Sequence, residues 1–477
     1  MSALDQLRGK RVLFLNWRDP SHPEAGGAEA YCHEIARRWA EGGVDVTLFA
    51  SRYPGASARA SLDGVAIRRA GGTFRVYVAA AQHLIAHPRE YDAVVDFQNG
   101  IPFFSPVASG RWTTTVCVIH HVHQDQFSLR FGWPLNAVGR VLEKQVSRFV
   151  YRGRPIVVVS PSTRQEVRRR LGFTNPIYLV PNGAPAAPTS SAPRTASPSI
   201  AVVNRLVPHK QFDLLLRALP SVARRWPDLH VDIAGNGSER QRLCALAASL
   251  RLNGAVEFHG RVGEERKRKL LGGAWLTVVP SRAEGWGLAV IEANSVGTPA
   301  LAFDVPGVRD AIQHAYNGWL LDPAADLAGG IDRALDELSV PGALDRIADR
   351  CREWARIFSW DDSAERLAEV VLGESQRIQR RRRSRRSTGD LAVVARFSAE
   401  DPDGVERLMK ASLRCTDARS RRGDTFQVVL HGCDEVLALK VLRRLGVDDA
   451  IVTLARRRDV LHRPSHVRTP PPQVLHA

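Results

Sequence analysis

Cysteine is scarce in this sequence: there are six in 477 residues, Cys32, Cys117, Cys244, Cys351, Cys415 and Cys433. None stands in a CxxC pair or at metal-ligand spacing, which argues against a disulfide framework and a zinc site. Use of this kind fits a reduced cytosol. There is no apolar run of about 18 residues, so no membrane-spanning helix is expected. The N-terminal stretch MSALDQLRGKRVLFLNW is too short in apolar residues for a signal peptide. A cytoplasmic protein is expected, at most peripheral at the inner face of the plasma membrane.

Negative charge is also in short supply, with 50 Asp and Glu against 67 Lys and Arg, a net charge of +17. The surplus is concentrated: residues 376–477 carry 22 Lys or Arg and 12 Asp or Glu, and their centre is Arg377–Ser387 (RIQRRRRSRRS). Such a run reads first as a solvated linker, then as a contact for an anionic membrane surface, and last as a nucleic-acid contact. No zinc-finger, RNP or helix-turn-helix pattern accompanies it, so nucleic acid is the least favoured partner.

What is present is alternation, in a chain whose 477 residues suggest roughly two to four domains and whose 44% hydrophobic composition is ample for buried cores. Arg11–Trp17 (RVLFLNW) predicts a strand, Ala28–Gly42 (AEAYCHEIARRWAEG) a helix and Val44–Ala50 (VDVTLFA) a strand. That βαβ unit implies a parallel, doubly wound sheet. Further strands are predicted at Ala93–Asp96, Thr115–Ile119 and Ile156–Val159, with Ser160 or Ser162 as the cap of the next helix. Ala184–Ser199 (APAAPTSSAPRTASPS) reads as a linker. Alternation resumes with strands at Ile200–Val203, His230–Ala234, Val256–His259 and Leu276–Val279, and a closing amphipathic helix at Phe358–Val371.

The expected architecture is therefore α/β: two Rossmann-like units, residues 1–183 and 200–375, joined by residues 184–199 and facing a cleft where ligands of such sheets bind. After an Arg-rich linker at 376–390, residues 391–461 predict a small α/β module, read as βαβαβ, and 462–477 a disordered tail.

Three stretches carry chemistry. After the first strand, NWRDPSHPEAGGAEAY sets Gly26 and Gly27 before a helix, where backbone N–H groups and the helix start suit an anion. After the first strand of the second unit, VVNRLVPHKQFD places Arg205 and Lys210 five residues apart, and such a pair suits a diphosphate. Third, PSRAEGWGLAVIE (280–292) runs from strand through loop into a helix that is apolar around most of its surface. Glu292 is anomalous there, because a buried carboxylate must be met by a salt bridge, by backbone donors or by sugar hydroxyls. Each stretch alone also has a bland reading: a turn, two solvated cations, an ion pair.

Together with GTPALAFDVPGVRDAI and NGWLL, these elements resemble glycosyltransferase family 4, the retaining nucleotide-sugar-dependent enzymes of GT-B fold. The resemblance covers about residues 10 to 370. It implies that Glu292 holds the ribose hydroxyls of the donor nucleotide and that Glu284 contacts the transferred sugar near the reacting centre. Gly285, Trp286, Gly287 and Leu288 would present backbone N–H groups to sugar and phosphates, with Trp286 where relatives often have Phe. Arg205 and Lys210 would sit on the diphosphate, and Gly26 and Gly27 beneath phosphates and acceptor. In VCVIHHVHQDQF, His120 is the expected contact of the donor sugar, His121 the fallback, and His123 a candidate facing the acceptor. A histidine satisfied by backbone groups remains the alternative.

The implied activity is transfer of a hexose from a UDP- or GDP-sugar to an acceptor the sequence does not name. No cofactor and no obligatory divalent metal are expected, because no convincing Asp-x-Asp loop occurs and the two cations replace one. A GT-B-fold sugar-nucleotide binder or an epimerase without transferase activity is the alternative. Helix Arg140–Arg152 (RVLEKQVSRFVYR) has Leu142, Val146, Phe149 and Val150 on one face with cations on others, a pattern that fits a membrane surface or simple packing on its own domain.

Overall fold

A computed structural model describes residues 2–110, 113–185, 192–383, 391–433 and 435–456. The first unit is built on an eight-stranded sheet: β1 (Arg11–Leu15), β2 (Asp45–Ser51), β3 (Arg59–Leu62), β4 (Val65–Ala70), β5 (Ala93–Gln98), β6 (Thr114–Ile119), β7 (Ile156–Val158) and β8 (Ile177–Leu179), in the order β3-β4-β2-β1-β5-β6-β7-β8. All pairings are parallel except β3 with β4. Val12, Leu13, Phe14 and Leu15 are wholly buried, as expected of a central strand covered on both faces. The helix Gly27–Glu41 supplies the cover on one side through Tyr31, Cys32, Ile35, Ala36 and Trp39, which recur at helical spacing. The hairpin β3–β4 is absent from the expected strands. It turns at Asp63 and Gly64, both with positive φ, a DG signal that is legible in the sequence.

The second unit carries β9 (Ser199–Val203), β10 (His230–Ala234), β11 (Val256–Gly260), β12 (Thr277–Val279), β13 (Ala300–Phe303) and β14 (Gly318–Leu321). They form two parallel ribbons, β11-β10-β9 and β12-β13-β14, joined by a parallel bridge between Ile200 and Leu276. Buried apolar residues run without a break from the first sheet to the second.

Two expected linkers are more ordered than their composition suggests. Residues 186–191 lie outside the described residues, but Arg194, the one charged residue of the stretch, donates to the carbonyls of Ala274 and Gly297. Thr195 N–H bonds the Gly273 carbonyl at 3.0 Å. The closing helix is longer than predicted, Trp360–Arg383, and it packs on the first unit. The Trp39 indole donates to the Ala364 carbonyl at 2.9 Å, and Arg154 pairs with buried Glu374 at 3.3 Å. The start of the arginine run is thus helical; residues 384–390 and the expected tail at 462–477 lie outside the described residues.

The C-terminal module corrects an expectation. It is βαββαβ, not βαβαβ, with β15 (Leu391–Ser398), β16 (Ala418–Arg422), β17 (Thr425–His431) and β18 (Ile451–Arg456) in the order β16-β17-β15-β18, all antiparallel. This is the split-βαβ, ferredoxin-like arrangement. Strand β16 (ARSRR) is nearly all polar because it lies at the sheet edge, so it shows no apolar alternation. The module has its own core, including Val393, Phe397, Met409, Phe426 and Leu442.

Candidate active site

The three motif stretches converge between the two parallel sheets. A Cβ built on Gly26 would lie 3.0 Å from Arg205 Nε, and one on Gly27 3.6 Å from a Leu288 methyl. The glycine turn of the first unit, the cation of the second and the start of the helix Leu288–Ser295 therefore meet. Arg205 is exposed, and its guanidinium makes no hydrogen bond or ion pair among the described residues. Gly26 N–H is already taken, donating at 2.8 Å to Glu29 Oε2, the third residue of the helix it caps. Glu29 was not singled out from sequence, although an acid three positions past a cap is a capping-box signal.

Loop 280–287 packs directly on the first unit. A side chain at Gly285 would place its Cβ 2.3 Å from the His120 carbonyl oxygen, so only glycine permits this approach. Gly287, at φ +85°, turns the chain into the helix. The backbone N–H groups of Gly285, Trp286, Gly287 and Leu288 donate to nothing among the described residues. Thr163 Oγ1 donates to the Gly285 carbonyl at 3.1 Å, and Ser162 N–H donates to Asp310 Oδ2 at 2.9 Å. These contacts clasp the two units beside the loop.

Glu284 is held by Lys210, whose side chain is 8% exposed, and by Ser281 Oγ at 2.8 Å. Both donate to Oε1, leaving Oε2 without a partner among the described residues. Burial pushes this carboxyl up, but the charge and hydrogen bond of Lys210, helped by Ser281, outweigh it and hold the group below its ordinary value. The nearby His209 imidazole is lowered to about 4 by burial and by the Lys210 charge.

Glu292 is met by a salt bridge, one of the three ways of satisfying it that the sequence left open. Lys267, from the helix Glu264–Gly273, reaches Glu292 Oε1 at 2.9 Å and Glu264 at 2.8 Å. Burial nevertheless raises the Glu292 carboxyl, with Lys267 only partly offsetting it. Neither Lys267 nor Ser281 was found from sequence; a lysine in an exposed-looking EERKRK run carries no mark of its buried partner.

His120 is buried, edge-on to Tyr31 with ring centroids 4.8 Å apart, and its Nε2 has no partner among the described residues. Burial, with a smaller effect of His123, lowers its pKa to about 3, so it is neutral at physiological pH. Burial also holds His121 well below its ordinary value. His123 is fixed by the buried Glu143, whose Oε1 accepts its backbone N–H at 2.6 Å, and its Nδ1 lies 2.9 Å from the His121 carbonyl. A shallow depression of about 610 Å³ around Arg52, Tyr53 and Gly71 contains none of these residues.

Known families match both parallel-sheet units. Residues 25–188 match the family described as Glycosyltransferase Family 4, and residues 186–354 the one described as Glycosyl transferases group 1. The chain belongs to glycosyltransferase family 4. A D-inositol 3-phosphate glycosyltransferase of Thermobispora bispora is 26% identical over 76% of this chain and 93% of its own length. A glycogen synthase of Mycobacterium tuberculosis is 28% identical over 54% of this chain and 63% of its own. Among solved structures, sucrose-phosphate synthase from Thermosynechococcus elongatus aligns with a TM-score of 0.64 at 19% identity, covering 78% of this glycosyltransferase and 99% of that chain. The fold is GT-B, and the protein is a hexosyltransferase acting from a nucleotide sugar on an acceptor.

Proposed function

We propose that transfer proceeds with retention, from a UDP- or GDP-hexose, without an obligatory metal ion. The observation that carries this reading is the convergence of Arg205, the Lys210–Glu284 pair and four undonated N–H groups at the 285–288 turn. The C1–O bond breaks, its electron pair going to the β-phosphate oxygen. The acceptor hydroxyl oxygen bonds to C1 on the same face, and its proton passes to the departing phosphate. Charge therefore grows on the diphosphate, where fixed cations and N–H dipoles are most effective. Glu284 Oε2 and His120 Nε2 suit sugar hydroxyls, and Glu292 Oε2 suits ribose, with Lys267 holding the other oxygen. A thermal-shift panel of nucleoside diphosphates and nucleotide sugars tests the donor. A ligand at 100 times its Kd stabilises by about 2.7 kcal/mol, and a response to none of them would sink the assignment.

The acceptor side favours a membrane-held substrate. No helix among the described residues is long and apolar enough to cross a membrane. Yet Trp133, Leu135, Val138, Val141 and Phe149 are 85%, 64%, 50%, 46% and 78% exposed, around the helix where sequence places Arg140, Lys144, Arg148 and Arg152. Exposed apolar side chains among cations fit an interfacial surface. Flotation with anionic vesicles, lost in Trp133→Ser/Phe149→Ser, is the expected result; no preference for anionic lipid would remove the reading.

A further inference from the structure

The C-terminal module closes a cleft against the back of the donor loop. The cleft is walled by Trp286 and Asp310 of the second unit, Arg366 of the closing helix, and Arg414, Asp417 and Arg419 of the module. Its carboxylates are already engaged. Asp310 Oδ2 accepts Ser162 N–H at 2.9 Å, and Asp417 accepts His431 N–H at 3.0 Å and Arg414 N–H at 3.1 Å.

Of its cations, Lys410 pairs with Glu406 at 3.6 Å; the three arginines differ. No hydrogen bond or ion pair of the Arg366, Arg414 or Arg419 guanidinium occurs among the described residues, although Arg366 and Arg419 are largely covered. Nearby Arg164 gives one N–H to the Asp417 carbonyl at 3.2 Å but leaves a buried Nε unpartnered. The Trp286 indole, 5% exposed, likewise has a buried Nε1 without an acceptor among the described residues. Burial draws the Arg419 guanidinium down, and Arg164, beside it, falls to about 10. Covered guanidinium groups without acceptors are costly, and an anion supplies what they need.

We propose that this cleft is a binding site for a phosphate-type oxyanion, held by Arg366, Arg414 and Arg419. The free volume is about 20 Å³, room for one water, so the phosphate enters at the exposed Arg414 end as the long arginine arms swing to meet it. Because Trp286 belongs to the turn assigned above to the donor, occupancy reaches the transfer site through that residue. This last link rests on the proposed donor reading; the anion site itself does not.

The test uses the full chain with the donor site filled by saturating UDP or GDP, whichever binds, so that phosphate cannot report from there. Inorganic phosphate and a sugar monophosphate are titrated against chloride at matched ionic strength, with Tm as the readout. A saturable rise in wild type is expected. Arg366→Gln/Arg419→Gln loses it while keeping the nucleotide-induced rise, and the milder Arg414→Gln weakens it about tenfold. Loss of unpartnered charge leaves the apo Tm of these variants unchanged or higher, which guards against a folding artefact. Response to phosphate alone, or to sugar monophosphate alone, assigns the source. No saturable rise in wild type with either anion, or an undiminished rise in both variants, overturns the site. A nucleotide response without an anion response refutes this inference alone; failure of every nucleotide refutes the donor reading instead.

Discussion

Replacing Lys210 by Ala makes two separable losses. In the folded protein Lys210 neutralises Glu284 inside the site, with side chains 8% and 15% exposed, and in the proposed reaction it faces the developing diphosphate charge. Removing one fixed donor of this kind costs roughly 2–4 kcal/mol of transition-state stabilisation, or about 30- to 1000-fold in turnover. The effect falls on kcat more than on KM, because the extra charge on the leaving diphosphate develops only as the C1–O bond breaks. Independently, Glu284 is left buried with Ser281 as its remaining donor, and breaking a buried pair costs about 3–5 kcal/mol of stability. The double variant Lys210→Ala/Glu284→Gln removes that orphaned charge. It should recover most of the lost Tm and none of the lost rate. Hydrolysis of the donor sugar to free nucleoside diphosphate needs no acceptor and supplies kcat; calorimetry supplies Tm. Turnover of Lys210→Ala within threefold of wild type, with the fold intact, would refute the electrostatic assignment.

Glu292→Gln should weaken nucleotide binding roughly 10- to 100-fold, the loss of charge-assisted hydrogen bonds of about 1.5–3 kcal/mol, as read by calorimetric titration. The apo protein should tolerate it, since Lys267 keeps Glu264 at 2.8 Å. Burial raises the Glu292 carboxyl, so its contribution is present at low pH and lost as pH rises through the folded value. The variant should therefore gain on wild type in stability as pH increases. His120 behaves in the opposite window. Its imidazole titrates at about 3 in the fold, against an ordinary 6.5, so between these values the unfolded chain binds a proton that the folded chain refuses. Stability then falls with decreasing pH by about 1.4 kcal/mol per unit for this one group. In urea titrations His120→Gln should flatten the slope by one proton; an unchanged slope would contradict the buried neutral imidazole.

Legibility in the sequence followed physical range. Apolar alternation places β1, the helix Gly27–Glu41 and β2 because burial periodicity is a property of neighbouring residues. The hairpin β3–β4 was equally local, marked by Asp63-Gly64; RASL lies mostly exposed at the sheet edge, and VAIRRA alternates only over Val65 and Ile67 before two arginines. Strand β16 escaped for the same reason. A composition-based reading of 184–199 as linker could not foresee Arg194 capping carbonyls 80 and 103 residues away.

By itself the sequence determined which residue types stand at the strand ends, two glutamates eight residues apart, two cations five apart and paired glycines before a helix, and hence the family. Tertiary structure decided their partners. Lys267 reaches Glu292, Gly285 comes against His120, and Gly26 lies under Arg205, because packing two sheets together brings remote segments to one place. A buried charge must be met by whatever the fold delivers there, and sequence distance does not record that. The guanidinium groups behind Trp286 are the same lesson reversed: only the docked module shows that three arginines, scattered from 366 to 419, share one cleft.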